Sequence, residues 1–285
     1  MISCFKPSFS PTVAYLSVCL MFVFPAYNQS AMQVMSFNVR YDNPNDGENA
    51  WPKRVSLVRS VLQEVQPDII GFQEVLNHQL ADLITALPAY EWYGVGRDDG
   101  AKAGEYGPIF YKSDRYTLLR KGTQWLSETP DQPGLGWDAA CNRILTWVEL
   151  EDQTSGDTVL ILNTHLDHRG EIARQESVKQ LLALWQVQTH TSKKLLLGDF
   201  NSDPESRVIK TLTRSSDLAD AYQMVDKPLG PLGTFQGFGS VSDTARIDYI
   251  FFNPQSLQAQ KLSHINLQKG TLFLSDHWPV LAEFK

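Results

Sequence analysis

The sequence of 285 residues predicts an α/β fold in which two β-sheets pack face to face, with helices on the outside. Three observations favour this class. Short apolar segments typical of strands recur along most of the chain, whereas few segments have helical apolar spacing. Trp and Tyr residues are scattered throughout. Because each sheet must bury an apolar face, many strands and few helices predict two packed sheets.

The first 31 residues differ from the rest of the chain. Lys6 is the only charged residue before an apolar run from Val13 to Phe24. This run is shorter than the ~20 residues that a membrane-spanning helix needs, and its length is typical of a secretory signal peptide. We therefore expect no stable membrane span and export of residues 32–285, as a monomer, to the periplasm or extracellular space. A misassigned start codon or a tethering anchor are the alternatives.

The strands of the mature chain are predicted from apolar or alternating runs bounded by polar residues. The predicted strands are 33–39, 68–74, 90–95, 108–112, 124–126, 144–150, 159–163, 194–197, 247–252, 257–265 and 280–284. Between them, long segments rich in Gly, Pro, Asp and Asn predict loops, and loops of this length are often functional. The predicted loops are 41–51, 96–107, 128–142 and 228–245.

Three segments have the apolar spacing of amphipathic helices, namely 53–66, 78–87 and 171–188. The first ends before Pro67 and the second before Pro88, because proline lacks the amide donor that would continue a helix. In the third, apolar residues from position 178 to Trp185 share one face.

Charge and cysteine content restrict the functions that the chain can have. Its 25 Lys and Arg and 32 Asp and Glu give a net charge of -7, which disfavours tight, non-specific binding of nucleic acid. A phosphate-ester enzyme remains compatible with this charge, because a bound cation reverses the local field. Cys141 is the only cysteine after residue 31, so the mature chain has no disulfide framework and no cysteine zinc site.

The most informative segment is the apolar run from Leu195 that ends in Gly198, Asp199, Phe200 and Asn201. Alternation along an extended chain points Asp199 and Asn201 to the same side. Burying such groups without partners costs roughly 2–7 kcal/mol each. They are well suited to holding a water molecule and a phosphoryl oxygen.

Polar groups able to bind metal or phosphate also follow or precede other apolar strands. They occur in the order Ser-Phe-Asn38, Gln-Glu74, Thr-His165-Leu, Arg-Ile-Asp248-Tyr and Ser-Asp276-His277. Singly, each is compatible with a solvated loop acid, a packed histidine or a turn residue. Together with Asp199 and Asn201, they resemble the endonuclease/exonuclease/phosphatase superfamily, with its deoxyribonuclease-I-like fold. The segments 38–51, 96–100 and 136–140 resemble a bacterial branch near the deadenylase-like group.

This resemblance implies a four-layered α/β sandwich of two mixed sheets and hydrolysis of phosphate esters with Mg²⁺ or Mn²⁺. It implies that Glu74 holds the metal through carboxylate oxygen, with Asn38 and Asp276 as further ligands. The expected partner is a phosphate-ester substrate, a class that includes nucleic acid. The expected activity is that of a phosphodiesterase or 3'–5' exonuclease-like nuclease. Alternatives are a phosphatase or sphingomyelinase-type enzyme acting on a small or lipid phosphate, and a non-catalytic binding protein that retains the fold.

The resemblance also implies catalytic roles. Asp199 orients or deprotonates the attacking water, and Asn201 donates to a phosphoryl oxygen. His277 contacts the phosphate while Asp248 holds its other ring nitrogen, and His165 provides a second phosphate contact.

Four further residues are predicted to contact substrate. Arg40 stands where abasic-site endonucleases carry an acid, so it either faces substrate phosphate or forms a salt bridge at the strand edge. The loops that carry Arg97, Arg143 and Trp51 are expected to surround the mouth of the site. Aromatic residues there either stack on a base or sugar or pack the loops together.

Overall fold

The computed structural model describes residues 1, 31–187, 191–214, 217–242 and 244–285. The predicted signal peptide lies almost entirely outside the described residues, so export stays a prediction. Within the described part of the chain, no helix is long and apolar enough to cross a membrane.

The described chain alternates strands and helices in the order that the sequence predicts, with additions. The strands are β1 (Met32–Asn38), β2 (Ile69–Gln73), β3 (Tyr90–Tyr93), β4 (Ile109–Lys112), β5 (Tyr116–Trp125), β6 (Ile144–Asp152), β7 (Thr158–His165), β8 (Lys193–Asp199), β9 (Ala219–Asp220), β10 (Asp248–Phe252), β11 (Ala259–His264), β12 (Gln268–Lys269), β13 (Leu272–Phe273) and β14 (Val280–Phe284). The α-helices are α1 (Trp51–Val65), α2 (Asn77–Ala86), α3 (Glu171–Val187), α4 (Arg207–Thr213) and α5 (Ala221–Met224). Short 3-10 turns cover Pro44–Asn49 and Gly237–Gly239.

Two mixed sheets of six strands each organise the fold. The first has the strand order β11-β14-β1-β2-β4-β3, and the second has the order β5-β6-β7-β8-β10-β9. Each contains one parallel pair, β1 with β2 and β7 with β8. The carboxyl ends of these four strands carry Asn38, Glu74, His165 and Asp199, whereas Asp248 begins β10 and Asp276 and His277 precede β14.

Alternation along the strands divides the core into three apolar layers. Val34 and Leu195 point between the two sheets, whereas their neighbours Met35 and Leu196 point outward. The outer face of the first sheet packs on α1 and α2, and that of the second packs on α3 and α4. The predicted four-layered α/β sandwich is therefore confirmed.

The elements that the sequence does not predict are those with a weak apolar signal. β5 is an edge strand that alternates little, with several exposed residues around Arg120, so only its end is predicted. The helices α4 and α5 span seven and four residues, and helices this short depend on tertiary packing.

Candidate active site

The site forms where strand ends from both sheets meet. Asp199 at the end of β8 pairs with His165 of β7 on one side and with Asp248 of β10 on the other. In the first sheet, Asn38 of β1 pairs with Gln73 of β2, so Glu74 emerges beside it. Because neighbouring strands lie about 4.8 Å apart, these registers bring the predicted groups together.

Three of the chain segments that leave these strands pass through a left-handed residue. Arg40, Glu74 and Asn201 have φ values of 61°, 60° and 46°, which are uncommon for residues other than glycine. Local bonds hold two of these turns, because Asn38 Oδ1 accepts from the Arg40 amide and Asp199 Oδ1 accepts from the Asn201 amide. Such strain concentrates at functional sites.

Gly198 allows β8 to approach β7 next to these residues. Its φ is 148°, and a Cβ atom there would lie 2.1 Å from the carbonyl oxygen of Thr164. Only glycine fits this position, which directly precedes Asp199.

Asn38 connects the two sheets through their carboxylates. Its Nδ2 atom lies 3.0 Å from Glu74 Oε1 and 3.0 Å from Asp199 Oδ2. The amide of Tyr41 donates to Glu74 Oε2 at 3.1 Å. Burial alone would raise the pKa of Glu74, but the charge of His277 and the bonds from Asn38 and Tyr41 lower it. Glu74 is therefore held as a half-buried carboxylate.

His277 and Asp248 form the predicted histidine–carboxylate pair. Nδ1 of His277 lies 2.8 Å from Asp248 Oδ2, and Nε2 lies 3.7 Å from Asp199 Oδ2. Burial would lower the pKa of His277, but the charges of Asp248 and Asp199 raise it well above its ordinary value. Burial, with the negative charge of Asp248, raises the pKa of Asp199 to about 7. The ring is thus an imidazolium beside a carboxyl group that titrates near neutral pH.

His165 differs from His277 because burial and positive side chains govern its pKa, although Asp199 Oδ2 lies 3.5 Å from its Nε2. Burial, together with Arg143 and Arg97, lowers the pKa of His165 well below its ordinary value, so its ring is neutral. Asn201 Nδ2 lies 3.0 Å from His165 Nε2 and donates to the Leu166 carbonyl at 2.9 Å. That carbonyl fixes the amide orientation, so Nε2 accepts and Nδ1 carries the proton. Both Asn201 amide protons are thereby engaged, and the predicted donation to a phosphoryl oxygen requires release of one of them.

The donor set suits a hard divalent cation. Ligand atoms of Glu74, His165 and Asp199 lie within 4.8 Å of one another. Burial and the charge of Glu74 raise the pKa of Asp276 despite the opposing charge of His277. Carboxylates that repel one another in a buried pocket are stabilised by a cation, and oxygen ligands favour Mg²⁺ or Mn²⁺. Of the predicted ligands, Glu74 belongs to this group, whereas Asp276 is in none of the ligand groups that the described residues form. Asn38 turns its Nδ2 atom to Glu74 and Asp199 while its Oδ1 accepts from the Arg40 amide, so it orients the carboxylates.

A cavity of about 530 Å³ opens over these groups. Three of the four predicted substrate contacts line it, namely Arg40, Arg97 and Arg143. Arg40 also binds Asp46 through two bonds of 3.0 and 3.1 Å, and its Nε lies 3.7 Å from Asp276 Oδ2. It therefore forms the alternative salt bridge while it faces the cavity.

The structure contradicts the role predicted for Trp51. This side chain is only 2% exposed at the start of α1, and its Nε1 donates to Asp82 Oδ2 at 2.8 Å. Its apolar ring belongs to the core between α1, α2 and the first sheet. Its position in a polar loop sequence suggested exposure, but burial of the large ring prevails.

Sequence reasoning missed three residues around the site. Glu105 accepts both Arg97 bonds, at 2.7 and 2.9 Å, and His168 Nδ1 lies 3.0 Å from Arg143 Nη2. Neither belongs to a motif that separates it from ordinary loop residues. Arg54 is fully buried and donates to four backbone carbonyls, those of Asn49, Val39, Leu274 and Arg40. Arg54 lies four positions before the apolar residue Val58 in α1, and residues at this spacing share one face of a helix. The spacing could therefore have predicted that Arg54 is on the buried face.

Comparisons with known proteins agree with this geometry. Residues 35–277 match the sequence model of the Endonuclease/Exonuclease/phosphatase family. The structure of the endonuclease/exonuclease/phosphatase from Bacteroides vulgatus is similar, with 38% identity, 90% of this chain and 99% of that chain covered, and a TM-score of 0.86. The mannosyl-6-phosphatase of Bacteroides thetaiotaomicron shares 34% identity over 89% of this chain and 99% of its own, with a TM-score of 0.84.

A more distant relative has a nucleic-acid substrate in its name. The 3'-5'-exoribonuclease subunit Ccr4 of the CCR4-Not complex of Mycosarcoma maydis is 22% identical, over 90% of this chain and 50% of its own length.

Proposed function

The chain belongs to the endonuclease/exonuclease/phosphatase family, and from this premise we propose that it is a divalent-metal-dependent hydrolase of phosphate esters. One observation carries the proposal. Asp199 lies between His165 and the Asp248–His277 pair, and Asn38 joins it to Glu74. Asp199, His277 and Glu74 all line one cavity, which supports their proposed roles as base, cationic donor and metal-binding carboxylate.

Each group has a role in the proposed reaction. Glu74 and Asp276 would hold the cation, and Asn38 would orient the Glu74 carboxylate toward it. The cation, when bound, neutralises phosphate charge. Asp199, with its pKa raised to about 7, accepts a proton from the attacking water. The imidazolium of His277, fixed by Asp248, donates to a phosphate oxygen and stabilises the charge that develops there. Asn201 positions neutral His165 at the wall of the cavity.

Small phosphorylated molecules are the first substrates to test. The family relative that is 34% identical is a mannosyl-6-phosphatase, which supports a phosphorylated sugar. A cavity of about 530 Å³ is within the size range of small-molecule sites. The net charge of -7 also disfavours a long polyanion.

A 3'–5' exonuclease is the second candidate, and the likeness to an exoribonuclease subunit supports it. Because that relative is only 22% identical, we rank it below the phosphatase. The non-catalytic alternative has less support, since every principal catalytic side chain is present in the site.

The central experiment compares p-nitrophenyl phosphate and bis-p-nitrophenyl phosphate hydrolysis with Mg²⁺, with Mn²⁺ and with EDTA. We expect hydrolysis that EDTA abolishes and that Asp199→Asn lowers by about 10²–10⁴-fold. Asp203→Asn is the matched control, because Asp203 is an exposed acid in the same segment. A folded, metal-supplied protein that hydrolyses neither compound would refute the proposal.

A substrate panel then distinguishes the candidates within this class. Mannose 6-phosphate, inositol phosphates, RNA, DNA and sphingomyelin are compared under the same conditions. Release of phosphate from the sugar ester supports the phosphatase, and stepwise shortening of RNA or DNA from the 3' end supports the exonuclease.

We also propose that residues 1–31 direct export of the chain. The support is the apolar run behind a single charge. Cell fractionation and N-terminal mass spectrometry test it, and an uncleaved chain confined to the cytoplasm contradicts it.

A further inference from the structure

A second, much smaller cavity adjoins the large one. It measures about 10 Å³, close to the least volume that admits one water-sized atom. Five residues form walls of both cavities, namely Glu74, Arg97, Glu105, Arg143 and His165. The small cavity is therefore a recess of the candidate active site, and Tyr106, Gly107 and Ile144 also line it.

Arg143 lines this recess and has an unused hydrogen-bond donor. Its side chain is 5% exposed, with Nε 3.3 Å from Asp167 Oδ2 and Nη2 3.0 Å from His168 Nδ1. Asp167 is itself fixed by the amides of Arg169 and Gly170. Nη1 is buried and has no hydrogen-bond partner among the described residues, which is rare for a buried polar atom. The guanidinium is thus held on two sides, and its third nitrogen is available to a ligand.

Two further donors belong to residues that line the recess, and they are also buried without a hydrogen-bond partner within the described part of the chain. They are Arg97 Nε and His165 Nδ1. The bond from Asn201 places the proton of His165 on Nδ1. A group that satisfies these donors must be an acceptor, and arginine favours the anionic oxygens of phosphate or carboxylate. Two carboxylates also line the recess, and one of them, Glu105, already accepts from Arg97.

We infer that Arg143 and this recess bind a terminal oxygen of a phosphate monoester, and so select monoesters over diesters. The inference rests on the proposed function. A monoester has three terminal oxygens and up to two negative charges, whereas a diester has two such oxygens and one charge. One oxygen atom fits the recess, but the carbon chain of a second ester group does not. The monoester therefore gains a charge-assisted bond that the diester cannot form in the same position.

The test measures kcat/KM for p-nitrophenyl phosphate and bis-p-nitrophenyl phosphate in wild type, Arg143→Met and Arg143→Lys. Both compounds release the same leaving group. We expect the monoester to diester ratio of the wild-type enzyme to exceed the ratio that the metal ion alone gives in solution. Arg143→Met should lower the monoester to diester ratio by about 10- to 100-fold. Arg143→Lys should restore part of the ratio, because it retains charge but not the planar fork.

Binding provides a second readout that does not depend on turnover. Inorganic phosphate should protect wild type against thermal unfolding, and Arg143→Met should weaken that protection. Arg120→Met is the control. Arg120 lies on edge strand β5, pairs with Glu149 of β6 and lines neither cavity.

Three outcomes would overturn the inference. They are a wild-type monoester to diester ratio no higher than that of the metal ion alone in solution, an equal loss on both esters in Arg143→Met, and unchanged phosphate protection in that variant. The last two would show that Arg143 only supports the loop that carries Asp167. Wild type without activity on either ester would instead refute the proposed function, so the two failures are distinguishable.

Discussion

Nδ1 of His277 lies 2.8 Å from Oδ2 of Asp248, and both side chains are buried although 29 positions separate them in the sequence. The antiparallel register of β10 with β8 places Asp248 beside Asp199 as well. One carboxylate therefore raises the pKa of a histidine and of a second carboxyl group at the same time.

The first prediction concerns the pH dependence of the wild-type enzyme. Asp199 must be ionised to accept a proton, and its pKa is raised to about 7. Activity should therefore rise with pH through neutrality and level off above it, while His277 remains protonated. The measurement is kcat/KM against pH at several Mg²⁺ concentrations, because a bound cation favours the ionised carboxyl group and moves the acid limb to lower pH. An acid limb that stays near pH 4, the ordinary range for aspartate, even at the lowest Mg²⁺ concentration would contradict this assignment.

The second prediction concerns Asp248→Asn. Loss of its negative charge should lower the pKa of Asp199 and of His277, because that charge raises both. The acid limb and the alkaline limb should consequently both move to lower pH, and the maximal rate should fall by about 10²-fold or more. The same pH series tests this, with Asp203→Asn as control. A lower rate with an unmoved profile would show that Asp248 acts only in packing.

The third prediction concerns Asn38→Ala, which removes the amide that bonds to both Glu74 and Asp199. Groups that orient metal ligands typically change affinity about 10- to 100-fold. We therefore expect weaker Mn²⁺ binding by calorimetry and a smaller rise in thermal stability on addition of Mn²⁺. Asn45→Ala, at an exposed site, should leave both unchanged. Wild-type Mn²⁺ affinity in Asn38→Ala would exclude this role.

The predictable part of the fold is the part with a strong local pattern. β8 alternates between two apolar layers and ends in Gly198 and Asp199, with Asn201 two residues further on, so its sequence alone indicates a buried strand that is followed by polar groups. β5 is a polar edge strand. Its bounds are set by backbone pairing with β6 and not by the pattern of its own side chains. Local pattern cannot reveal such an element.

The candidate site shows the same division. The strand-end residues are predictable because each follows or precedes an apolar run. The free Nη1 atom of Arg143 is not, because it depends on Asp167 and His168, which lie more than twenty positions away. Trp51 was misassigned for a related reason, since only the tertiary packing of α1 buries its ring.

The fourth prediction concerns stability and Arg54→Met. The buried guanidinium donates to four carbonyls in the β1–α1 connection and the segment before Asp276. Removing it leaves buried acceptors without donors, so we expect a loss of about 3 kcal/mol or more in the free energy of unfolding. Urea denaturation measures it. Lys53→Met, a change at an exposed neighbour, should cost less than about 0.5 kcal/mol, and an equal cost for both variants would contradict the argument.

The fifth prediction concerns the glycine that precedes Asp199. Gly198→Ala would place a Cβ atom 2.1 Å from the Thr164 carbonyl oxygen, so β8 must move away from β7 or the backbone must change its φ of 148°. Either change displaces Asp199 from His165. Gly156→Ala is a matched control, because Gly156 also has a positive φ, of 75°, but no atom within 4 Å of the added methyl group. The control should cost about 1–2 kcal/mol of stability from conformation alone and retain full activity. Gly198→Ala should lose more free energy of unfolding in urea denaturation, and it should also lose most of its phosphate-ester hydrolysis. Equal behaviour of the two variants would show that β7 and β8 can separate at the site without loss.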